Sequence, residues 1–164
     1  MSHPEENKNQ NLESDQAILD FPEITDQEFD PLLKNVILSP NVTLIGDSAF
    51  SKYCFLSTIN ISSSVKSIGT KVFTGCYQLT AITVEKNNEF YTSIDGILFS
   101  KDLKQLICFP SSHSFTNYEI PNSVEFIHEY AFSFCLRLLS ITIPNKVTSI
   151  GRFAFQSCRS LTNI

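Results

Sequence analysis

Five cysteines and three histidines are the side chains of this 164-residue chain that could act as nucleophiles, bases or metal ligands. Cys76, Cys135 and Cys158 each follow a phenylalanine by three residues, which places them at one repeated position. A metal site usually draws ligands from close pairs such as C-x-x-C, and the sequence contains no such pair. We therefore predict no metal site, and we expect the repeated thiols to be buried at a fixed corner of the fold.

A disulfide between Cys135 and Cys158 is the alternative for these thiols. The two residues would lie on neighbouring coils about 5 Å apart, a separation that permits a bridge in principle. Their side chains would point in parallel rather than toward each other, which favours unpaired thiols.

A catalytic pair of His128 as base and Cys135 as nucleophile would need a third group to orient the base, and the sequence identifies none. His113 lies in a loop, and His3 lies near the N-terminus. No glycine-rich phosphate-binding motif is present, so Gly69 and Gly151 are predicted to be turn residues with positive φ. The sequence thus predicts no catalytic residue and no cofactor. A hydrolase site in the inserted segment described below is the remote alternative.

The elements that position these residues repeat along the chain. Ile, Phe and Leu recur in three series whose spacings are 23, 59 and 23 residues in each case. The series are Ile45, Ile68, Ile127 and Ile150; Phe50, Phe73, Phe132 and Phe155; and Leu56, Leu79, Leu138 and Leu161. Three independent series with one set of spacings indicate a solenoid, in which each coil buries the apolar face of the next.

Each unit begins with an L-x-x-I-x-I segment, as in LSTINI at residues 56–61 and LLSITI at residues 138–143. Alternation over its last residues predicts a short strand with the isoleucines facing inward. A turn that contains Pro-Asn, a V-x-x-I-G segment and a corner that buries the Phe follow. The predicted fold is a β-rich solenoid of parallel short strands and short helical turns, with one β-meander insert.

The 59-residue spacing is 23 plus 36, so one unit is enlarged, over residues 85–118. Within it SIDGILFS (93–100) and QLICFP (105–110) read as strands, SKDLK as the turn between them, and Asp95-Gly96 as a second tight turn. We predict a meander of two or three strands that replaces the usual corner. It is either a spacer or a ligand-facing protrusion, because irregular loops on regular scaffolds often bind ligands.

Acidic residues concentrate at the N-terminus. Residues 1–31 carry nine acidic side chains and one basic one, a net charge of −8, while residues 32–164 carry +3. We predict residues 1–31 to be an acidic, largely disordered leader, and residues 32–164 to be a solenoid of about five units. The weak positive balance does not favour nucleic-acid binding.

The N-terminal sequence MSHPEENKNQ lacks the basic start and apolar stretch of a signal peptide. No segment approaches the roughly 18 consecutive apolar residues that span a bilayer. If the chain is complete, these features predict a cytoplasmic protein without a membrane span.

The stretch LLSITIPNKVTSIGRFAFQSC (138–158) resembles the leucine-rich repeat of the BspA-like surface-antigen family. FYTSIDGILFSKDLKQLICFP (90–110) resembles the interruption that recurs between its repeats. The resemblance covers roughly residues 33–164. It implies a parallel-strand solenoid of the leucine-rich repeat type, in the α/β horseshoe-like class. It also implies a cell-surface location and adhesion to host or extracellular-matrix proteins.

The outward residues of the first strand in each unit form the predicted binding face. They are Thr58, Asn60, Ala81, Thr83, Asn117, Glu119, Ser140 and Thr142. This face is small, polar and nearly uncharged, and it is either merely solvated or a broad surface for a protein ligand. We predict a non-catalytic protein-binding scaffold used for adhesion; an intracellular protein-interaction scaffold of the same fold is the alternative. An open strand edge at the last unit also predicts a loose terminal coil and self-association.

Overall fold

The computed structural model describes residues 15–25, 32–51 and 53–164, which contain fourteen β-strands and no helix. The first strands of six successive coils are β1 (Gln16–Leu19), β3 (Asn35–Leu38), β5 (Thr58–Ile61), β7 (Ala81–Val84), β11 (Asn117–Glu119) and β13 (Ser140–Thr142). The second strands are β2 (Glu23–Ile24), β4 (Leu44–Ile45), β6 (Ser67–Ile68), β12 (Phe126–Ile127) and β14 (Ser149–Ile150). The insert contributes β8 (Tyr91–Ile94), β9 (Ile97–Ser100) and β10 (Gln105–Cys108).

On either side of the insert, successive coils pair in parallel, with equivalent residues opposite each other. In the sheet of first strands, Val36 lies opposite Ile59, and Ile59 lies opposite Ile82. In the ladder of second strands, Ile127 lies opposite Ile150. The predicted parallel-strand solenoid is confirmed, because this register places residues 23 positions apart directly over one another.

The repeated phenylalanines stack from coil to coil. Phe50 stacks on Phe73 with ring centroids 5.9 Å apart, and Phe132 stacks on Phe155 at 5.0 Å. Phe109, from the insert, stacks on Phe132 at 5.1 Å, so it occupies the Phe position of its own coil. The predicted apolar column is therefore present, but the buried side chains around it divide into two clusters at the insert.

The first coil lies inside the segment that the charge pattern predicts to be a disordered leader. β1 pairs in parallel with β3, and β2 pairs in parallel with β4. Ala17, Leu19 and Ile24 are at most 3% exposed, because they alternate with outward-facing neighbours as in the later coils. The solenoid therefore begins before the predicted boundary at residue 32 and has six coils rather than about five. The rest of the predicted leader, residues 1–14 and 26–31, lies outside the described residues.

The corners that follow the second strands are turns, where the sequence suggested short helical turns. At one equivalent position in each, φ lies between 56° and 58°: Ser48, Lys71, Tyr130 and Phe153. A left-handed residue interrupts a right-handed helical turn. The corner amides bond to the next coil instead: the Ser48 N–H donates to the Thr70 carbonyl (2.9 Å), and the Phe50 N–H donates to the Val72 carbonyl (3.0 Å).

Gly69 and Gly151 are required by close packing between coils, and the prediction that they need a positive φ is wrong. A Cβ at Gly69 would lie 2.6 Å from the backbone nitrogen of Asp47, and a Cβ at Gly151 would lie 2.4 Å from that of Glu129. Both atoms belong to the preceding coil. His128 occupies the same position in the fifth coil, where the preceding coil contributes the strand β10 instead of a corner.

The enlarged unit contains a three-stranded meander. β8 and β9 pair antiparallel around a turn at Asp95 and Gly96, both of which have positive φ, and β9 pairs antiparallel with β10. β10 then pairs in parallel with β12, so it takes the place of a second strand in its own coil. The insert is thus built into the stack of coils at its C-terminal end.

A buried asparagine anchors the start of the insert to the preceding coil. The Asn88 side-chain amide donates to the carbonyl oxygens of Ser62 and Val65, both at 2.9 Å. Its Oδ1 accepts hydrogen bonds from the N–H groups of Phe90 and Tyr91, both at 2.8 Å. The two bonds to the preceding coil are buried, and Asn88 itself is 1% exposed. The side chain therefore joins the start of the insert to the turn of the preceding coil.

We expect Asn88→Ala to lower the free energy of unfolding by about 2–4 kcal/mol, because several buried backbone groups lose their partners. Asn87→Ala is the matched control, since Asn87 is adjacent and exposed. Denaturant titrations followed by circular dichroism measure both. Equal stability of the two variants would show that the Asn88 hydrogen bonds do not hold the insert.

Candidate protein-binding face

The first strands present alternate residues inward and outward. In β5 the isoleucines at positions 59 and 61 are buried, while Thr58 and Asn60 face outward. The same alternation in β7 buries Ile82 and exposes Thr83. The outward orientation follows from the two-residue period of a strand, whose inward residues are held by the core.

Four of the eight predicted residues form one patch on β5 and β7, which we call the N-terminal patch: Thr58, Asn60, Ala81 and Thr83. The Thr58 hydroxyl donates to Asn35 Oδ1 at 2.7 Å. The Asn60 amide donates to Thr83 Oγ1 at 3.0 Å. These side chains thus hydrogen-bond along the ladder from coil to coil, which orders them as a surface before any ligand is present.

The other four predicted residues form the C-terminal patch, on β11 and β13: Asn117, Glu119, Ser140 and Thr142. Asn117 lies opposite Ser140, and Glu119 lies opposite Thr142. The Ser140 hydroxyl donates to Asn117 Oδ1 at 2.6 Å. Glu119 is the single charged side chain among the eight, so this patch carries a negative charge that the N-terminal patch lacks.

The insert separates the two patches. The Ile82 N–H donates to the Gly96 carbonyl at 2.8 Å, so the turn of the meander lies against the edge of β7 where the next first strand would pair. The turn is connected to the following coil by His113, whose Nε2 bonds the Asp95 carbonyl at 2.7 Å. Because the Phe115 N–H donates to His113 Nδ1, the ring carries its proton on Nε2. The predicted face is therefore two surfaces divided by a hairpin.

The N-terminal patch extends further than predicted, onto the first coil. Gln16 and Asn35 lie in register with Thr58, and Ile18 and Ile37 lie in register with Asn60. Ile18 is 57% exposed, so this end of the patch adds apolar surface to the hydroxyl and amide groups. The signal that could have revealed it is the similarity of QAIL (16–19) to NVIL (35–38), which the surrounding acidic residues obscured.

The repeat pattern has a direct counterpart among known proteins. Six copies of the BspA type leucine rich repeat region match residues 8–107 and 105–164. The chain belongs to the BspA-type leucine-rich repeat family. No curated protein matches it.

Solved structures of other leucine-rich proteins share the fold. A leucine rich cell surface protein from Faecalibacterium prausnitzii A2-165 is 35% identical, with a TM-score of 0.75 over 87% of this chain and 38% of its own. The pneumococcal vaccine antigen PcpA is 28% identical, with a TM-score of 0.70 over 80% of this chain and 39% of its own. A leucine-rich repeat protein from Eubacterium ventriosum is 22% identical, with a TM-score of 0.63 over 81% of this chain and 50% of its own. At this identity the similarity supports the fold alone.

This chain therefore spans half or less of the length of the solved proteins it matches. Within residues 15–25, 32–51 and 53–164, no helix has the length and apolar character needed to cross a membrane.

The repeated cysteines of the BspA-type coils bond to the phenylalanine carbonyl one coil earlier. The Cys76 thiol donates to the Phe50 carbonyl at 3.0 Å, and the Cys158 thiol donates to the Phe132 carbonyl at 2.9 Å. The Cys135 thiol faces the Phe109 carbonyl at 3.8 Å. The burial predicted for the repeated thiols is found at Cys76 and Cys135, and Cys158 is partly buried. The acceptor of each thiol, which sequence reasoning missed, explains why a small weak donor recurs at this corner.

The His128 imidazole is bonded to the strand β10 of the insert coil. His128 Nε2 bonds Gln105 Oε1 at 2.6 Å, and burial lowers the pKa of its imidazole. Burial likewise raises the pKa of the Cys76 thiol, and it raises that of Cys108 to about 12. These thiols stay protonated at neutral pH, which makes them poor nucleophiles. In the described part of the chain, no three His, Cys, Asp or Glu side chains gather as a metal site would require.

We expect iodoacetamide at pH 8 to modify exposed Cys54 at least tenfold faster than Cys76 or Cys108 in the folded protein, since alkylation needs an accessible thiolate. Peptide mass spectrometry over a time course measures each rate. The control is the same reaction in 6 M guanidinium chloride, where the rates should converge. Comparable rates in the folded protein would contradict the protection of the Cys76 and Cys108 thiols.

Proposed function

We propose that this protein is a non-catalytic scaffold that binds a protein ligand through the N-terminal and C-terminal patches. The observation that carries the proposal is the pair of outward faces, each built from aligned strands and ordered by hydrogen bonds between neighbouring coils. A rigid, repeated and shallow surface suits an extended protein ligand, because contacts can be made at several coils at once.

The character of the patches supports protein recognition over a charged ligand. Hydroxyl and carboxamide groups dominate, with Glu119 as the charged exception and Ile18 as exposed apolar surface. Interfaces between proteins combine apolar contact with satisfied polar groups, whereas nucleic acids and membranes demand clusters of basic side chains. The proposed ligand is therefore a protein of no strong charge.

Adhesion to a host or extracellular-matrix protein is the specific role proposed. It is supported by membership of the BspA-type family and by similarity to a leucine rich cell surface protein and to a vaccine antigen. Under this proposal the chain acts at a cell surface, and an intracellular binding scaffold is the outcome that the experiment below distinguishes.

The test is binding to immobilised collagen, fibronectin and laminin, measured by biolayer interferometry. Thr83→Arg and Thr142→Arg each place a bulky cation in the middle of one patch and should weaken binding at least tenfold, about 1.4 kcal/mol. Gln78→Arg and Gln156→Arg are matched controls, because they make the same charge change at exposed corner positions. These controls should leave the affinity unchanged.

Two outcomes would contradict the proposal. Binding that is lost equally in the patch variants and the corner controls would show a general charge effect. Absence of binding to every matrix protein would reject adhesion to those ligands and would favour an intracellular partner.

A further inference from the structure

The coil that contains the insert reaches its corner two residues early. In a regular coil five residues lead from the strand isoleucine to the buried phenylalanine, as from Ile127 to Phe132. In the insert coil Leu106 pairs with Ile127 in the ladder, and Phe109 stacks on Phe132, so only three residues cover the same distance. The corner of this coil therefore lacks two residues.

The missing residues leave a cleft between the corners of the third and fifth coils, which we call the corner cleft. One wall is residues 69–74 and the other is residues 128–130 with Ser133, and Phe73, Ile107 and Phe109 contribute apolar lining. The cleft admits water-sized molecules over about 50 Å³. Side chains connect the walls at one point, where the Lys71 ammonium lies 5.5 Å from the centre of the Tyr130 ring.

The first wall presents hydrogen-bond donors that have lost their acceptors. In regular corners these amides donate to the next coil, as Ser48 and Phe50 do. The equivalent N–H groups of Lys71 and Phe73 have no acceptor among the described residues. The Thr74 hydroxyl on the same wall is also buried without a partner. Buried polar groups are normally satisfied, so the buried Thr74 hydroxyl, beside two N–H groups without an acceptor, points to a bound partner or to water.

The opposite wall presents an acceptor. The Ala131 carbonyl accepts the Phe109 N–H at 2.7 Å, which preserves one of the regular bonds between corners. The Glu129 carbonyl is equivalent to the Thr70 carbonyl, which accepts the Ser48 N–H in a regular corner. No N–H group of the described residues donates to the Glu129 carbonyl. The donor that would bond to it belongs to the corner segment that the insert coil lacks.

The two walls together match an uncharged amide. The N–H donors on one wall require a carbonyl oxygen, and the Glu129 carbonyl on the other wall requires an N–H donor. A peptide group has both, on opposite sides. Lys71 and Glu129 contribute one positive and one negative charge to the lining, which gives no preference for an ion. The segment that fills this space in regular coils is itself peptide backbone, so the spacing between the walls suits one.

We propose that the corner cleft binds a peptide group from an extended segment of a partner protein. This site is separate from the N-terminal and C-terminal patches and does not depend on them. Carbonyl groups of the bound segment would accept hydrogen bonds from the N–H groups of Lys71 and Phe73, and one of its N–H groups would donate to the Glu129 carbonyl. Specificity would come from the Thr74 hydroxyl and the apolar lining.

The experiment is a titration of ¹⁵N-labelled full chain with N-acetyl-alanine-N-methylamide, followed by amide chemical shifts. Saturable shifts are expected at Lys71 and Phe73. The methyl ester of N-acetyl-alanine lacks one N–H donor and should bind at least fivefold more weakly. Phe153 and Phe155 are internal controls, because their N–H groups occupy the same corner positions in another coil and likewise have no acceptor among the described residues.

Two variants separate binding from folding. Thr74→Val preserves shape and removes an unpaired hydroxyl, so it should leave stability unchanged or higher while weakening the probe at least threefold. Insertion of two residues after Ile107 restores the five-residue spacing and should abolish the saturable shifts. The same insertion after Lys101, in the exposed turn between β9 and β10, should leave them intact.

Three results would overturn the proposal. Equal saturation at Phe153 and Phe155 would mean that any unpaired corner binds the probe. Tighter binding of acetate than of the diamide would assign the cleft to anions. Unchanged probe affinity in Thr74→Val, together with unchanged stability, would show that the site lies elsewhere.

Discussion

Parallel, in-register pairing between coils is the constraint on which this molecule depends. A single coil of 23 residues buries too few side chains to offset the entropy of ordering its backbone. Pairing with a neighbour satisfies the strand amides and covers one apolar face with another. The same register repeats every feature at fixed positions. A departure from the repeat in one coil therefore changes the packing and hydrogen bonds of the adjoining coils.

Much of this architecture could be predicted from the sequence, because the interior of a solenoid repeats. The Ile, Phe and Leu series each mark a buried position, and the Asp95-Gly96 turn needs residues that tolerate positive φ. The features that could not be predicted depend on contacts with the adjoining coil. Gly69 is constrained by a backbone nitrogen 22 residues earlier in the chain, and no property of its own segment shows this. Similarly, the short spacing from Leu106 to Phe109 hid the fact that Phe109 belongs to the repeated column.

The first coil illustrates a different limit. Its apolar residues, Ala17, Leu19 and Ile24, are few and lie among acidic neighbours, so composition indicated disorder. Packing reverses that expectation, because a short amphipathic strand needs only an existing edge to pair with. The predicted binding residues show the same dependence. The strand period predicts that all eight face outward, and the path of the insert divides them into two groups.

The stacked phenylalanine column offers the most direct test of this account. Phe132 is fully buried between Phe109 and Phe155, whereas Phe126, six residues earlier in the same coil, is 42% exposed. The decisive measurement is the free energy of unfolding of Phe132→Ala and of Phe126→Ala under identical conditions. The account predicts a loss of about 3–5 kcal/mol for Phe132→Ala and a much smaller loss for Phe126→Ala. Equal losses would contradict it, because they would mean that the coils are not held together by this column.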